Sequence, residues 1–371
     1  MNIPELQERT FLNLVKRRIA QKLGRSGVPA ASTGKALGAG LVGAGNIARW
    51  AYVPRLQRKF PFHLAAVFDV NQAGAKQVAD STGAKACATL DELLRHPDVE
   101  VVFICTPAGN HCEAALAALA AGKHVLCEKP MAASLDEAKR MLDAAQKAGK
   151  AHMVHFSYRF RPEFQFLAQL IQSGVIGRVY HVTGTFSQGK WFNKNSEPSN
   201  ERPDAAPWKL GVDGGVAEDL GPHLVDLCRS CFGELTEVNA WKKSFRPGPF
   251  MSDDACGLSL SFANGAAAHV ITSRLATGFK EHTSLEFSGS LGAIQFEHGE
   301  ISLWTRSEPR WRTLLIPPAA GRDFLDSFHA AITNRDVKVP DFTDGLKNSE
   351  ALEAIVRSAK TGTTVKLPLQ E

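Results

Sequence analysis

A chain of 371 residues with 44% apolar and 22% charged side chains suggests about two globular domains and is long enough to bury a large core. Its formal charge of +5 includes a basic cluster at Lys16, Arg17, Arg18, Lys22 and Arg25, too diffuse and too poor in interleaved aromatics to argue for nucleic acid. No apolar run approaches the roughly 18 residues of a membrane span, and the polar stretch Gln21 to Arg25 after Arg17-Arg18 speaks against export, so a cytoplasmic protein without membrane or nucleic-acid partners is expected.

Residues 1–34 form an extension. Leu6, Phe11, Leu12, Leu14, Val15, Ile19 and Leu23 recur with helical spacing, so an amphipathic helix is expected before a Gly/Pro/Ser/Ala linker at 24–34. From 35 to 156 strands at 36–42, 63–68, 99–105, 123–127 and 151–156 alternate with helical patterns, which implies a parallel, doubly wound sheet. The first strand runs into Gly43-Ala44-Gly45-Asn46-Ile47-Ala48, a G-x-G-x-x-A turn whose glycines let backbone approach a pyrophosphate and aim helix N-terminal amides at it. A second frame, Gly38-x-Gly40-x-x-Gly43, fails on context, because turn-prone residues precede it where a strand is required. Gly43, Gly45, Asn46 and Ile47 are therefore the cofactor-binding turn. The next strand ends at Asp69, 26 residues beyond Gly43. A carboxylate there accepts from a free ribose 2′-hydroxyl and repels a 2′-phosphate, which favours NAD over NADP. The helix at 135–148 has a capping box from Ser134 and Glu137, an apolar face of Leu135, Ala138, Met141, Leu142 and Ala145, and Gly149 as its stop.

Beyond Phe156 the pattern changes. After a helix at 162–173, β-rich segments follow at 178–186, 236–245, 255–263, 266–273, 282–288, 292–297 and 301–305, with Asn264-Gly265 as a hairpin signal. Their close spacing favours an antiparallel sheet, and helices near 322–333 and 344–360 precede a last short strand. The division is thus 1–34, 35–156 for the dinucleotide, and 157–371 for substrate and oligomerisation.

Three stretches offer chemistry. Glu128-Lys129-Pro130 follows the strand at 123–127, and ligands of open α/β sheets bind beyond the carboxyl ends of strands, so Glu128 and Lys129 should border the cofactor and Lys129 should meet substrate. A lysine beside a cationic cofactor ring has a lowered pKa, suited to proton transfer or to polarising a carbonyl. An exposed lysine at a strand end is the plainer reading. Asp219 and His223, four apart, share one face of a helical turn as an acid/base pair or as a helix start with a structural histidine. Thr106, Pro107 and His111 should skirt the cofactor, with His111 a helix-start residue before a catalyst. The seven cysteines are odd in number and sit mostly in apolar runs, as buried reduced thiols do; Cys228-Arg229-Ser230-Cys231 lacks a second pair, and no metal site is expected.

Gly43-x-Gly45-x-x-Ala48, Asp69, Thr106-Pro107, Glu128-Lys129-Pro130, Tyr158-Arg159-Phe160-x-Pro162 and the Gly214-Gly215 to His223 run occur in one order that resembles the Gfo/Idh/MocA family of glucose-fructose oxidoreductase and inositol dehydrogenase. The resemblance spans about residues 36 to 368. It implies an α/β protein, with an N-terminal Rossmann domain and a C-terminal α/β domain built on a large, mostly antiparallel sheet that often makes a homodimer or homotetramer. It also implies Lys129 as the catalytic lysine, Asp219 and His223 as the substrate-side pair, Arg159, Trp208 and Lys209 as substrate-binding positions, and a sugar-like substrate. Ala48 replaces the commoner third glycine, and Lys209 stands where arginine is frequent. The expected activity is NAD-dependent oxidation of a secondary alcohol to a ketone or the reverse, with His223 or Lys129 as proton acceptor. Alternatives are hidden redox with retained NAD, giving epimerisation, elimination or glycoside hydrolysis, and a non-catalytic NAD or sugar sensor.

Overall fold

The computed structural model describes residues 35–58, 60–189, 215–245, 253–276, 278, 279, 281–317, 322–334 and 337–370. The helix expected within 1–34 and the candidates Trp208 and Lys209 lie outside them.

Two sheets carry the chain. In the first, β1 (Leu37–Val42), β2 (Phe62–Phe68), β3 (Lys85–Cys87), β4 (Val101–Ile104), β5 (His124–Glu128) and β6 (His152–His155) stand in the order β3-β2-β1-β4-β5-β6. Every neighbouring pair is parallel. The strand order reverses at β1/β4, the switch point at whose carboxyl edge such sheets bind ligands. The helices are α1 (48–56, its Ala48–Tyr52 part π-helical), α2 (Gln72–Thr82), α3 (Leu90–Leu94), α4 (His111–Ala120) and α5 (Leu135–Ala148). β1 and β4 are buried at nearly every position, as strands covered on both faces must be. Gly38 and Gly40 lie inside β1, where side chains would collide with Asp98 and Leu93, so the second glycine frame is a packing requirement. At α5, Ser134 Oγ accepts from Glu137 N–H at 3.2 Å, Glu137 reaches back to Ala133 N–H at 3.0 Å, and Gly149 closes the helix at φ +61°.

The second sheet has nine strands in the order β14-β13-β12-β11-β7-β10-β9-β8-β15. These are β7 (Val179–Ser187), β8 (Leu235–Lys243), β9 (Ala255–Phe262), β10 (Ala267–Ser273), β11 (His282–Gly289), β12 (Gly292–Glu297), β13 (Glu300–Thr305), β14 (Glu308–Leu314) and β15 (Val365–Lys366). All its pairs are antiparallel except β7 with β10. Helices α6 (Pro162–Ser173), α7 (Val216–Asp219) and α8 (Gly221–Phe232) precede most of it. Val182, Phe186, Leu258, Phe287 and Phe296 alternate into a core shared with Leu167, Leu170 and Leu224 of the helices. The opposite face shows Trp241 and Ile271, each nearly half exposed. Two strands were not legible. β3 is three residues long with one of them buried, and β14 is an edge strand with only Leu314 buried, so neither carries a clear period-two pattern.

The last helices, α9 (Phe324–Thr333) and α10 (Phe342–Thr361), divide unexpectedly. Contacts separate a unit within Ala30–Ser157 and Asp323–Glu350 from one holding Tyr158–Arg322 and Ala351–Glu371. The 157–371 assignment therefore loses 323–350 to the nucleotide unit. The cause is aromatic packing: Phe324 on Tyr52 at 5.1 Å, Phe328 on Phe62 at 6.4 Å, and Phe342 on His152 at 4.8 Å. Among the described residues, no helix is long and apolar enough to cross a membrane.

Candidate active site

The carboxyl ends of β1, β4 and β5 bring three expected loops to one edge of the parallel sheet. Gly43 sits at φ +96°, and a Cβ there would lie 2.8–2.9 Å from the backbone of Cys105 and Thr106, so this glycine is required by the fold itself. Gly45 differs, because a Cβ there would meet nothing within 4 Å. Gly45, Asn46 and Ile47 are exposed at the start of α1 while Ala48 is fully buried against the core. Asp69 braces the turn, accepting from Ala44 N–H at 2.6 Å through one oxygen and from Asn71 N–H at 2.7 Å through the other. Arg49, which the sequence did not single out, clamps the turn from the helix side by donating to Ala44 O at 2.8 Å and to Gln77 Oε1 at 2.6 Å.

Thr106 Oγ1 is buried with no hydrogen-bond partner among the described residues. A buried hydroxyl without a partner at a ligand-binding edge fits a dinucleotide whose polar atoms complete it. His111 is 1% exposed, and its ring nitrogens face Thr106 O at 2.7 Å and Pro130 O at 2.9 Å. Burial holds this imidazole below its ordinary pKa. The ring thus lies between the Thr106-Pro107 and Glu128-Lys129-Pro130 loops, and in its neutral form it donates its single N–H to one of the two carbonyls.

Glu128 is buried at the end of β5. Tyr52 O–H donates to its Oε1 at 2.8 Å, and His155 Nδ1–H, from the end of β6, donates to the same oxygen at 2.6 Å. Burial opposes this carboxylate's charge, but His155 and the two hydrogen bonds outweigh it and hold Glu128 below the usual glutamate range. Burial and then the Glu128 charge push the Tyr52 phenol up, so it remains a donor. The other oxygen, Oε2, accepts from Lys129 N–H at 3.3 Å, and the half-buried Lys129 leads into a cis bond to Pro130.

In the other unit, Asp219 ends α7 and His223 lies in the first turn of α8, so the expected single helix is two, joined at Leu220. Asp219 Oδ2 accepts from Arg274 Nη2 at 2.6 Å, and Arg274, directly after β10, is 2% exposed. The His223 ring lies nearly parallel to Tyr158 at 4.9 Å, and Tyr158 in turn stacks on Phe164 at 4.6 Å. Arg159 forms a two-pronged pair with buried Asp226 of α8, at 2.8 and 2.6 Å. Beside Asp219, Lys242 bridges Glu218 and Asp253. Burial works against that ammonium, but the two carboxylates outweigh it and hold Lys242 above its ordinary pKa. A side chain at Gly215 would collide with both carboxylates, which accounts for that glycine. Arg274, Lys242 and Asp253 carried no motif and were not identified from sequence. The Cys228/Cys231 pair forms no disulfide, and burial pushes the Cys231 thiol up to about 12, as expected of inert thiols.

A profile described as the NAD-binding Rossmann fold of an oxidoreductase family matches residues 37–156, and one for the GFO/IDH/MocA C-terminal domain matches 164–295. The chain belongs to the Gfo/Idh/MocA oxidoreductase family. Within this NAD-binding family it is 29% identical over 325 residues to levoglucosan dehydrogenase of Pseudarthrobacter phenanthrenivorans, covering 74% of this chain and 82% of that one. The solved levoglucosan dehydrogenase complexed with NADH and levoglucosan superposes with a TM-score of 0.78 at 28% identity, over 90% of this chain and all of the other. The WlbA dehydrogenase of Chromobacterium violaceum, solved with NADH and UDP-GlcNAcA, gives 0.79 at 27% identity, over 92% and 99%. These relatives thus include a dehydrogenase named for a sugar, levoglucosan, and one solved with a sugar nucleotide bound.

Proposed function

We propose that this protein is an NAD-dependent dehydrogenase that oxidises a secondary alcohol of a sugar, cyclitol or sugar nucleotide to a ketone, or runs the reverse. The observation that supports it most is the shared sheet edge, where the loops carrying Gly45, the unpartnered Thr106 hydroxyl and Lys129 follow the three adjacent strands β1, β4 and β5. Gly45, Asn46, Ile47 and Thr106 hold the dinucleotide, and Asp69 selects NAD by offering a negative group where NADP carries a phosphate. When bound, the cofactor supplies a hydride acceptor. Lys129 stabilises the charge that develops on the substrate oxygen, and His223 takes the hydroxyl proton. Asp219 keeps that imidazole oriented, with Arg274 holding the carboxylate in place. Arg159 acts at the substrate side through the α8 helix it braces.

The test is a panel of sugars, cyclitols and sugar nucleotides assayed for NADH formation, with a mass measurement of any nucleotide that co-purifies. NADH formation with one substrate class is the expected result. Retained NAD without net NADH selects hidden redox instead, and neither activity nor bound nucleotide across the panel contradicts the reading.

A further inference from the structure

A second group of donors is not among the residues assigned to dehydrogenation. His282 opens β11, Glu297 closes β12, and His298 occupies the two-residue turn into β13. Ser284 pairs with Glu297 across the two strands, and His282 is two residues from Ser284, so His282 and Glu297 lie diagonally on one face. His282 Nε2 is 3.8 Å from Glu297 Oε1, and His298 Nε2 is 4.0 Å from that same oxygen. The three ligand atoms all lie within 4.8 Å of one another.

These separations are too long for hydrogen bonds, so the groups do not satisfy each other directly. They are close to what one ion requires: donors around a tetrahedral zinc stand about 3.4 Å apart, given bonds of about 2.0–2.2 Å. The two outer side chains are exposed and can close the remaining gap by rotating about their own bonds. His282 is the fixed member, 11% exposed and stacked on Phe279 at 4.4 Å.

The turn is informative as well. His298 has φ +51°, the one positive value on a non-glycine among the described residues, and Gly299 follows at +83°. Such a turn is best served by Asn-Gly, and a histidine in the left-handed region is an uncommon choice. Here that conformation brings the ring to 4.9 Å from His282.

We propose that His282, Glu297 and His298 form a site for a divalent transition metal at the tip of the β12–β13 hairpin. Two imidazoles and one carboxylate suit zinc and its first-row neighbours rather than calcium or magnesium, which prefer all-oxygen sets.

The experiment uses the full chain without a histidine tag, treated with chelator and dialysed. Zn(II) is titrated by calorimetry, and Co(II) by its visible absorption, which reports coordination by nitrogen and oxygen. About one equivalent per chain is expected. His298→Asn is the decisive variant because it retains or improves the turn while removing a ligand. It should weaken Zn(II) binding by at least about 10-fold while the metal-free melting temperature holds or rises, and Glu297→Gln should act in the same direction. Absence of one-equivalent binding overturns the proposal. So does binding unchanged in both His298→Asn and Glu297→Gln, which places the ion elsewhere on the chain.

Discussion

Glu128 sits in the core with two donors on one of its oxygens, so its charge is part of the fold as well as a neighbour of Lys129. Its folded pKa lies below its unfolded value. The stabilisation is therefore fully present above the ordinary glutamate range and is lost as pH falls through the folded value. Glu128→Gln should cost about 1.5–3 kcal/mol at neutral pH, and its thermal stability should fall less steeply on acidification than that of the parent chain. Equal acid limbs in the two melting curves would count against this account. Lys129 and His223 were legible because short motifs announce them. Tyr52, His155 and Arg274 were not, since each acts through a contact with a residue 27 to 76 positions away that no local pattern encodes. Arg159 shows the converse: a motif named it, but only the packing revealed that its guanidinium is committed to Asp226.

At the level of elements, the glycine turn separates two demands that the sequence pattern merges. Gly43 answers to the backbone of Cys105 and Thr106, whereas Gly45 answers to nothing among the described residues. Gly43→Ala should lower stability by about 1–3 kcal/mol. Gly45→Ala should leave the melting temperature within about a degree but weaken NADH binding about 10-fold or more, if the open space is the cofactor's. Fluorescence titration beside thermal melts reads both, and unaltered NADH affinity in Gly45→Ala would remove the turn from the cofactor site. The βαβ alternation made the parallel sheet readable, as did the cap residues of α5. β3 and β14 escaped because a short strand and a charged edge strand bury too few side chains to show a period. The Asp219 to His223 turn read as one helix because the break at Leu220 leaves the apolar spacing undisturbed.

For the whole molecule, the outward face of the nine-stranded sheet leaves Trp241 and Ile271 nearly half exposed, an apolar surface of the kind subunits cover. We expect self-association through it, and Ile271→Lys should shift the mass in light scattering toward the monomer while NADH binding persists; a monomeric parent chain would refute this. The chain's division was legible only in outline, because the return of 323–350 to the nucleotide unit depends on aromatic contacts with Tyr52, Phe62 and His152. The proposed alcohol oxidation turns on Lys129 standing at the reacting oxygen. Its most direct test is turnover of Lys129→Ala with a substrate found in the panel, measured beside NADH affinity. Affinity within a few-fold of the parent is expected, with turnover lower by about 10²–10⁴. Near-normal turnover in a variant that still binds NADH would contradict it.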